Sequence, residues 1–449
     1  MKWLVVAGLM CFSTALGQTG KLLTLEDALA IGRTQSRLLQ VSAAKADAAS
    51  ARADEVGTLL LPSLKLEGIY RRLSDVDPFQ VSVPFSPQPI VISPTILNNY
   101  NVRVGLQQPI FTGFKLRSNA RAAEYLANAA AFDNKNDASE LDLNIISAYW
   151  TLYQTIQTRT FVDENVTRLT NYEQDTERLM NVGMATRNDL LKIQVQLSSA
   201  RLTQIDAAND VQLAMMNLNN IIGQPLETQV QLASQPAGIE EPQGRPLREG
   251  EAGSESLVIK ALETRPDLHA MKFRVQATEA SVTAAKGAWW PQLFLGANYY
   301  YARPNSRYLP ARDEFKSTWD VGLTLQFDLW NWGATSYQTE QAAAQLHQNE
   351  LLYAQMKDNI SLEVTRATLN VDRARKKVAV AQLAIEQADE NVRTTTDKYK
   401  NGLATSSDLL DADVALLQAK TSLSASKVEY ALALARLDKA TGQGSFAAR

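Results

Sequence analysis

The sequence predicts a mainly α-helical, internally duplicated chain with a small β part. Three observations predict it. The stretch Val182-Gly183-Met184-Ala185-Thr186 returns in the second half as Asn401-Gly402-Leu403-Ala404-Thr405, with Gly402 in the place of Gly183. That match continues without a gap for about 40 residues, which marks a tandem repeat. No proline or glycine interrupts the segment from about Lys115 to Met180. Four shorter runs, each about ten residues long, alternate apolar and polar side chains as strands with two different faces do.

Composition narrows the function classes. The chain has 449 residues, a formal net charge of -3, one cysteine and two histidines. A single cysteine, Cys11, excludes a disulfide framework. Three Cys and His residues in all leave no Cys/His zinc site. His269 and His347 lie far apart and give no support to histidine acid–base chemistry. The mild negative charge argues against a nucleic-acid footprint. No catalytic residues, metal ligands or cofactor are expected.

At the start, Met1-Lys2 is basic and Trp3 to Phe12 is apolar, with small residues at Ala15 and Gly17. Residues 1–17 are expected to be a secretory signal peptide cleaved before Gln18. The apolar run is too short to span a bilayer as a helix. Leu9-Met10 before Cys11 do not suit a lipoprotein signal.

From Leu25 to about Leu60 the chain is rich in Ala, Lys, Asp and Arg without proline, which predicts a helix. Pro62 stops it. Leu64, Leu66 and Tyr70 then alternate with Lys65 and Glu67, and Val102, Val104 and Leu106 alternate with Arg103, Gly105 and Gln107. These predict strands at about 63–73 and 100–111. Between them, Ser74 to Asn98 holds Pro78, Pro84, Pro87, Pro89 and Pro94. That density excludes a helix or a central strand. Its many apolar residues suggest a cover over the end of the sheet.

The uninterrupted segment from Lys115 would be a helix roughly 100 Å long at 1.5 Å per residue. Gly183 and Gly402 end the long segments as left-handed turn residues. Helices resume near Arg187 and Ser406, with Asn188 and Ser407 as expected N-caps and Asp189 and Asp408 favourable in the first turn. Leu409, Leu416, Leu423, Tyr430 and Leu437 recur every seven residues, as do Leu190, Leu197, Val211 and Leu218 with Gln204 in one slot. A strict seven-residue repeat implies left-handed supercoiled packing. The adjacent column Leu410, Leu417, Ser424 and Ala431 carries small residues and suggests neighbours on both sides. A simple antiparallel helical bundle fits the same periodicity.

The second copy repeats the order, with strands at about 292–302 and 317–329. The organisation is a signal peptide at 1–17, a first repeat at 18–223 with its turn at about 181–186, a linker at 224–254, a second repeat at 255–442 with its turn at about 400–405, and a tail at 443–449. Aromatic residues crowd the ends of the second strand pair: Trp289, Trp290, Tyr299, Tyr301, Trp319, Trp330 and Trp332. Aromatic ends on strands of this length fit a membrane-interface girdle. A sheet half-buried on a soluble core fits them as well.

Four strands cannot close a barrel around a lumen, and open strand edges are not tolerated in lipid. Three copies supply 12 strands, above the smallest membrane barrels of about eight. The helices of three copies would then form a tube.

At this point the chain resembles the TolC-type outer-membrane efflux proteins. The resemblance is carried by the duplicated unit, Pro62 and Pro291 before the strands, Pro109-Ile110-Phe111-Thr112-Gly113 leaving a strand, the two Gly turns, and Arg265-Pro266-Asp267-Leu268 opening the second copy. It covers essentially the whole mature chain. It implies a homotrimer with a 12-stranded transmembrane β-barrel, four strands per chain, continued by an α-helical coiled-coil periplasmic barrel. It implies a passive exit duct of a tripartite efflux or type I secretion system in a Gram-negative outer membrane. A periplasmic adaptor and an inner-membrane pump would be its partners.

The resemblance also assigns residues. The turns Val182, Gly183, Met184, Ala185, Thr186 and Asn401, Gly402, Leu403, Ala404, Thr405 correspond to adaptor-docking tips. Asp408 and Asp411 correspond to acidic rings that narrow the tunnel; Asp408 could equally serve as a first-turn helix charge. Asp189 and Tyr399 match positions of a hydrogen-bonded lock. The lock's arginine is replaced by Ala404, so Arg187 or Lys192 is expected to substitute. Arg71, Arg72, Arg303, Arg307, Arg312 and Lys316 could pair with lipopolysaccharide phosphates, or be ordinary solvated charge. The competing function is a periplasmic coiled-coil scaffold or adaptor without a pore.

Overall fold

The computed structural model describes residues 22–82, 84–85, 88–93, 95–233 and 254–443. The expected signal peptide, the middle of the linker and nearly all of the tail lie outside them. In chain order the elements are β1 (Leu22–Leu23), α1 (Leu25–Gln35), α2 (Arg37–Thr58), β2 (Ser63–Arg72), β3 (Phe79–Val81), β4 (Ile90–Ser93), β5 (Asn98–Phe111), α3 (Lys115–Asn181) and α4 (Arg187–Ile222). They continue with β6 (Gln231–Leu232), α5 (Ser254–Thr264), α6 (Pro266–Lys286), β7 (Gln292–Arg303), β8 (Lys316–Gln326), α7 (Ala334–Lys400) and α8 (Ser406–Ala440). The described residues fall into two compact units: those up to 40, between 137 and 265, and from 360 on form one, and those between 41 and 136 and between 266 and 359 the other.

The strand-bearing unit holds an antiparallel sheet in the order β2-β5-β7-β8. Leu66 lies opposite Val104, Val104 opposite Tyr299, and Tyr299 opposite Trp319. Residues opposite one another share a face. One face is therefore apolar, and it is exposed: Leu64 is 70%, Leu66 74%, Trp319 69% and Leu323 66% accessible. The other face is polar and internally bonded. Arg103 donates to Asn298 Oδ1 from Nε at 2.9 Å and from Nη2 at 2.8 Å. Asn298 Nδ2 donates to Asp320 at 2.8 Å, and Arg307 to Asp320 at 2.9 Å. Strands β2 and β8 are the open edges of this sheet.

Two details of this unit differ from the sequence reading. The proline-rich segment after β2 contains a short antiparallel pair, β3 with β4, and its Phe79 and Phe85 are exposed. The pair avoids the prolines, which flank it rather than sit in its ladder. The basic residues of the second interstrand loop are engaged within the chain. Arg303 pairs with Asp313, Arg307 with Asp320, and Arg312 and Lys316 with Glu314.

The helical unit has its main core around Leu29, Ile145, Ile146, Tyr149, Leu152, Leu218 and Ile222. Tyr149 donates to Leu23 O at 3.2 Å, and burial pushes its phenol up to about 12. Arg33 grips the buried Asp142 with two bonds at 2.9 and 2.6 Å. The linker begins with β6, which pairs with β1 in parallel. Asn219 fixes this stretch by donating to Leu226 O and Thr228 O.

The helix expected from Leu25 to about Leu60 is two helices. Ser36 stands between α1 and α2 with an extended backbone, φ -62 and ψ 121. The second copy breaks at Arg265, because a residue before proline avoids the helical conformation. Ser36 precedes no proline, so its break had no such warning.

Candidate functional site at the paired helix turns

The two turns are built alike. Gly183 and Gly402 take left-handed conformations, with φ of 80 and 73. Thr186 then caps α4 and Thr405 caps α8, each two residues before the expected caps Asn188 and Ser407, which lie inside the first turn. At each, the threonine hydroxyl accepts the backbone N–H three residues on, and the aspartate there accepts from the threonine N–H. This reciprocal capping box satisfies donors that a helix start leaves unpaired. Thr405→Ala should therefore cost about 1 kcal/mol. It should appear as faster amide hydrogen exchange confined to the first turn of α8; unchanged exchange there would defeat the assignment.

Asp408 is thereby committed. Its Oδ2 accepts from Thr405 Oγ1 at 2.7 Å and from Thr405 N at 2.9 Å. These bonds hold its carboxyl below the usual carboxylate range. Asp411 lies one turn further along α8, exposed, and makes no hydrogen bond or ion pair among the described residues.

Asp189 makes the same cap and one bond more. Ser406 donates from Oγ to its Oδ1 at 2.6 Å, linking the start of α8 to the start of α4. This bond, followed by those from Thr186, holds Asp189 below its ordinary range. Lys192 adds a second link, donating to Ser407 Oγ at 3.1 Å. Tyr399 is not bonded to Asp189. Its hydroxyl shares a hydrogen bond of 2.7 Å with Thr176 on α3, in a buried setting. Burial chiefly raises the Tyr399 pKa, and the nearby Asp189 charge adds to that. Arg187 is exposed and makes no hydrogen bond or ion pair among the described residues.

Sequence reasoning missed the strongest link. Asp413 on α8 is 1% exposed, and it accepts from Arg168 Nε at 2.6 Å and from Asn165 Nδ2, both on α3. Lys420 bonds Glu164 at 2.5 Å two turns further along. The available signal was spacing: Asp413 stands between Leu409 and Leu416, at the interval of a core position. The predicted aromatics on the strand ends are all exposed: Trp289, Trp290, Tyr299, Tyr301, Trp319, Trp330 and Trp332. No grouping of His, Cys, Asp and Glu among the described residues could hold a metal ion. No helix among them is long and apolar enough to cross a membrane.

Comparison with known proteins gives one answer. A family model described as "Outer membrane efflux protein" matches residues 31–224 and 257–443. Outer membrane efflux protein BepC of Brucella suis is 25% identical over 342 residues, 76% of this chain and 72% of that protein. Alkaline protease secretion protein AprF of Pseudomonas aeruginosa is 26% identical over 350 residues, 76% of this chain and 69% of that protein. Among solved structures, VceC of Vibrio cholerae is similar with a TM-score of 0.76 at 18% identity, covering 93% of this chain and 96% of that one. The CmeC outer membrane channel of Campylobacter jejuni gives 0.78 at 16% identity, covering 95% and 87%.

Proposed function

The chain belongs to the outer membrane efflux protein family, and on that premise we propose that three copies form a passive export duct. It sits in the outer membrane and carries substrates outward from an inner-membrane pump. One observation carries this reading: the four-stranded sheet has an exposed apolar face and two unpaired edges. In lipid the apolar face is satisfied but the edges are not. Joining β8 of one copy to β2 of the next removes both, and three copies close a barrel of 12 strands, four from each chain. The strands have 10, 14, 12 and 11 residues, enough to cross the hydrocarbon layer when tilted.

The exposed Trp and Tyr residues on the strand ends then lie at the membrane interfaces, where amphipathic rings are favoured. The bonded polar face, with Arg103, Asn298 and Asp320, lines the lumen. The helix turns at 182–186 and 401–405 form the inner tips and dock a periplasmic adaptor. The exposed apolar residues Val182, Met184 and Leu403 at these tips suit such a partner. Asp408 and Asp411 face the constriction, and Asp189, Tyr399 and Lys192 tie the two hairpins of a chain together. Contact with lipopolysaccharide phosphates falls to Arg71 and Arg72, since the loop cations already have carboxylate partners. A scaffold without a pore would not need membrane-length strands with an exposed apolar face. No chemistry is assigned to the chain.

The test is membrane fractionation followed by native mass, then conductance in planar bilayers. The protein should fractionate with the outer membrane, have the mass of a trimer and conduct. A soluble or monomeric protein would sink the reading. Asp408→Asn/Asp411→Asn should reduce cation over anion permeability several-fold, because rings of carboxylates favour cations. An unchanged reversal potential in a conducting trimer would remove these residues from the constriction.

A further inference from the structure

We infer that the second repeat carries a binding groove for a small multivalent oxyanion of the phosphate class, lined by Arg366 and Arg373 of α7 and by Arg436 and Lys439 of α8. The groove is a cleft of about 260 Å³ within the helical unit of a single chain. That is just under the roughly 300–1,000 Å³ of pockets for drug-sized ligands, so it suits a smaller guest. Arg366, Asn370 and Arg373 recur every three or four residues on α7, and Lys377 continues the row, so they share one face. Glu429 and Arg436 lie two turns apart on α8 and share a face likewise.

The repeat supplies the comparison. The shift that lays Gly402 on Gly183 lays this cleft on one between α3 and α4 of the first repeat. The apolar floor is the same: Ala367 falls on Ala148 and Ala433 on Ala214, all buried. The rim differs. Arg366 falls on Ser147, Arg373 on Gln154, Lys377 on Thr158, Arg436 on Asn217 and Lys439 on Asn220. Five cations stand where the first repeat has five neutral side chains. The hairpin does not need them to pack, since the first repeat packs the same two helices without them. Like charges gathered in one place repel unless a counter-charge joins them.

The chain's own carboxylates do not supply all of it. Glu429 accepts from Lys377 at 2.7 Å and from Arg373 at 3.2 Å. Glu363 accepts from Arg265 at 2.5 Å, and Lys439 is bonded to Glu140. Arg366 and Arg436 make no hydrogen bond or ion pair among the described residues. They line the cleft from opposite walls, one on each helix. A guanidinium presents a planar fork of donors that matches two oxygens of one phosphate. An anion with two joined phosphoryl groups therefore engages both arginines at once, and the Asn370 amide adds a neutral donor.

Calorimetric titration of the purified full chain with pyrophosphate tests the groove. The wild type should bind saturably, with one site per chain. Arg366→Ser/Arg436→Asn installs the first repeat's residues and should weaken binding at least tenfold, the loss of two charge-assisted contacts. Circular dichroism should show the helix content of that variant unchanged. Arg375→Gln/Lys376→Gln removes two exposed cations of α7 that pair with Asp372 outside the cleft, and should leave the affinity within about twofold. A wild type that does not bind pyrophosphate would overturn the proposal, and so would equal losses in the two variants. A tetraglutamate peptide that binds where pyrophosphate does not would overturn it too, by giving the groove to an acidic protein segment. None of these outcomes touches the duct reading, which stands or falls on the mass and conductance of the trimer.

Discussion

Asp413→Ala is expected to destabilise the helical unit by about 3–5 kcal/mol, the cost of stranding one partner of a buried ion pair. The partner left behind is Arg168, which then keeps only the distant Glu164 carboxylate at 3.9 Å. Its side chain is 22% exposed, and its Nη2 is already buried without a hydrogen-bond partner among the described residues. Replacing both residues together, as Asp413→Leu/Arg168→Met, should recover most of the loss, because no charge is left uncompensated. Thermal or denaturant unfolding of the full chain reads both outcomes. A double variant as unstable as the single one would show that the polar links, rather than the stranded charge, carry the energy.

The same carboxyl gives a dependence on pH with a definite sign. Burial outweighs Arg168 and holds the Asp413 pKa above its ordinary value. The folded state therefore binds this proton more tightly than the unfolded chain does. The group's contribution to stability is complete below the ordinary carboxylate pKa and is lost as pH rises through the raised value. Asp413→Asn should flatten that part of the profile and cost less than Asp413→Ala, since an amide oxygen still accepts from Arg168.

Gly113→Ala is the second large effect expected. Gly113 leaves β5 with φ of 61. A Cβ there would lie 2.3 Å from Gly287 O and 2.8 Å from Trp290 Cβ, closer than atoms can approach. The left-handed conformation costs an alanine about 1–2 kcal/mol. Forcing the backbone apart adds about 1–3 kcal/mol more, as overpacking does. Gly183 provides the control. Its φ is 80, yet nothing lies within 4 Å of an added Cβ. Gly183→Ala should show the conformational cost alone. Thermal or denaturant unfolding of the full chain compares the two, and equal losses would refute the role of the close approach.

The duplicated helices and strands were legible because their signals are periodic and local. Val102, Val104 and Leu106 announce a strand by alternation, and Gly183 and Gly402 announce turns by position in a repeat. Thr405 and Asp408 stand three residues apart, the spacing of a capping box, a local signal that the placement of the caps at Asn188 and Ser407 overlooked. Bonds between elements were not legible. Nothing local says that Tyr399 meets Thr176 rather than Asp189, or that Asp413 meets Arg168, because the partners of each pair stand in different copies of the repeat. The short parallel pairing of β1 with β6 was missed for a different reason: two residues on each side carry no period.

The two copies also differ in length, and at one place. Pro62 and Val102, before the first strand and on the second, enclose a longer stretch than Pro291 and Val321 do in the other copy (62 to 102 against 291 to 321). Beyond that stretch the copies stay in step, Val102 with Val321 and Gly183 with Gly402. Ten residues were therefore gained or lost in the interstrand loop, where the first copy carries β3 and β4, and none along α3, α4, α7 and α8. A residue inserted in a helix would turn everything beyond it by roughly 100° about the axis and move its apolar seam off its neighbour. Loops face no such penalty. An epitope or reporter peptide should accordingly be accepted after Arg303 or near Phe85, whereas even one residue added within α7 should abolish assembly.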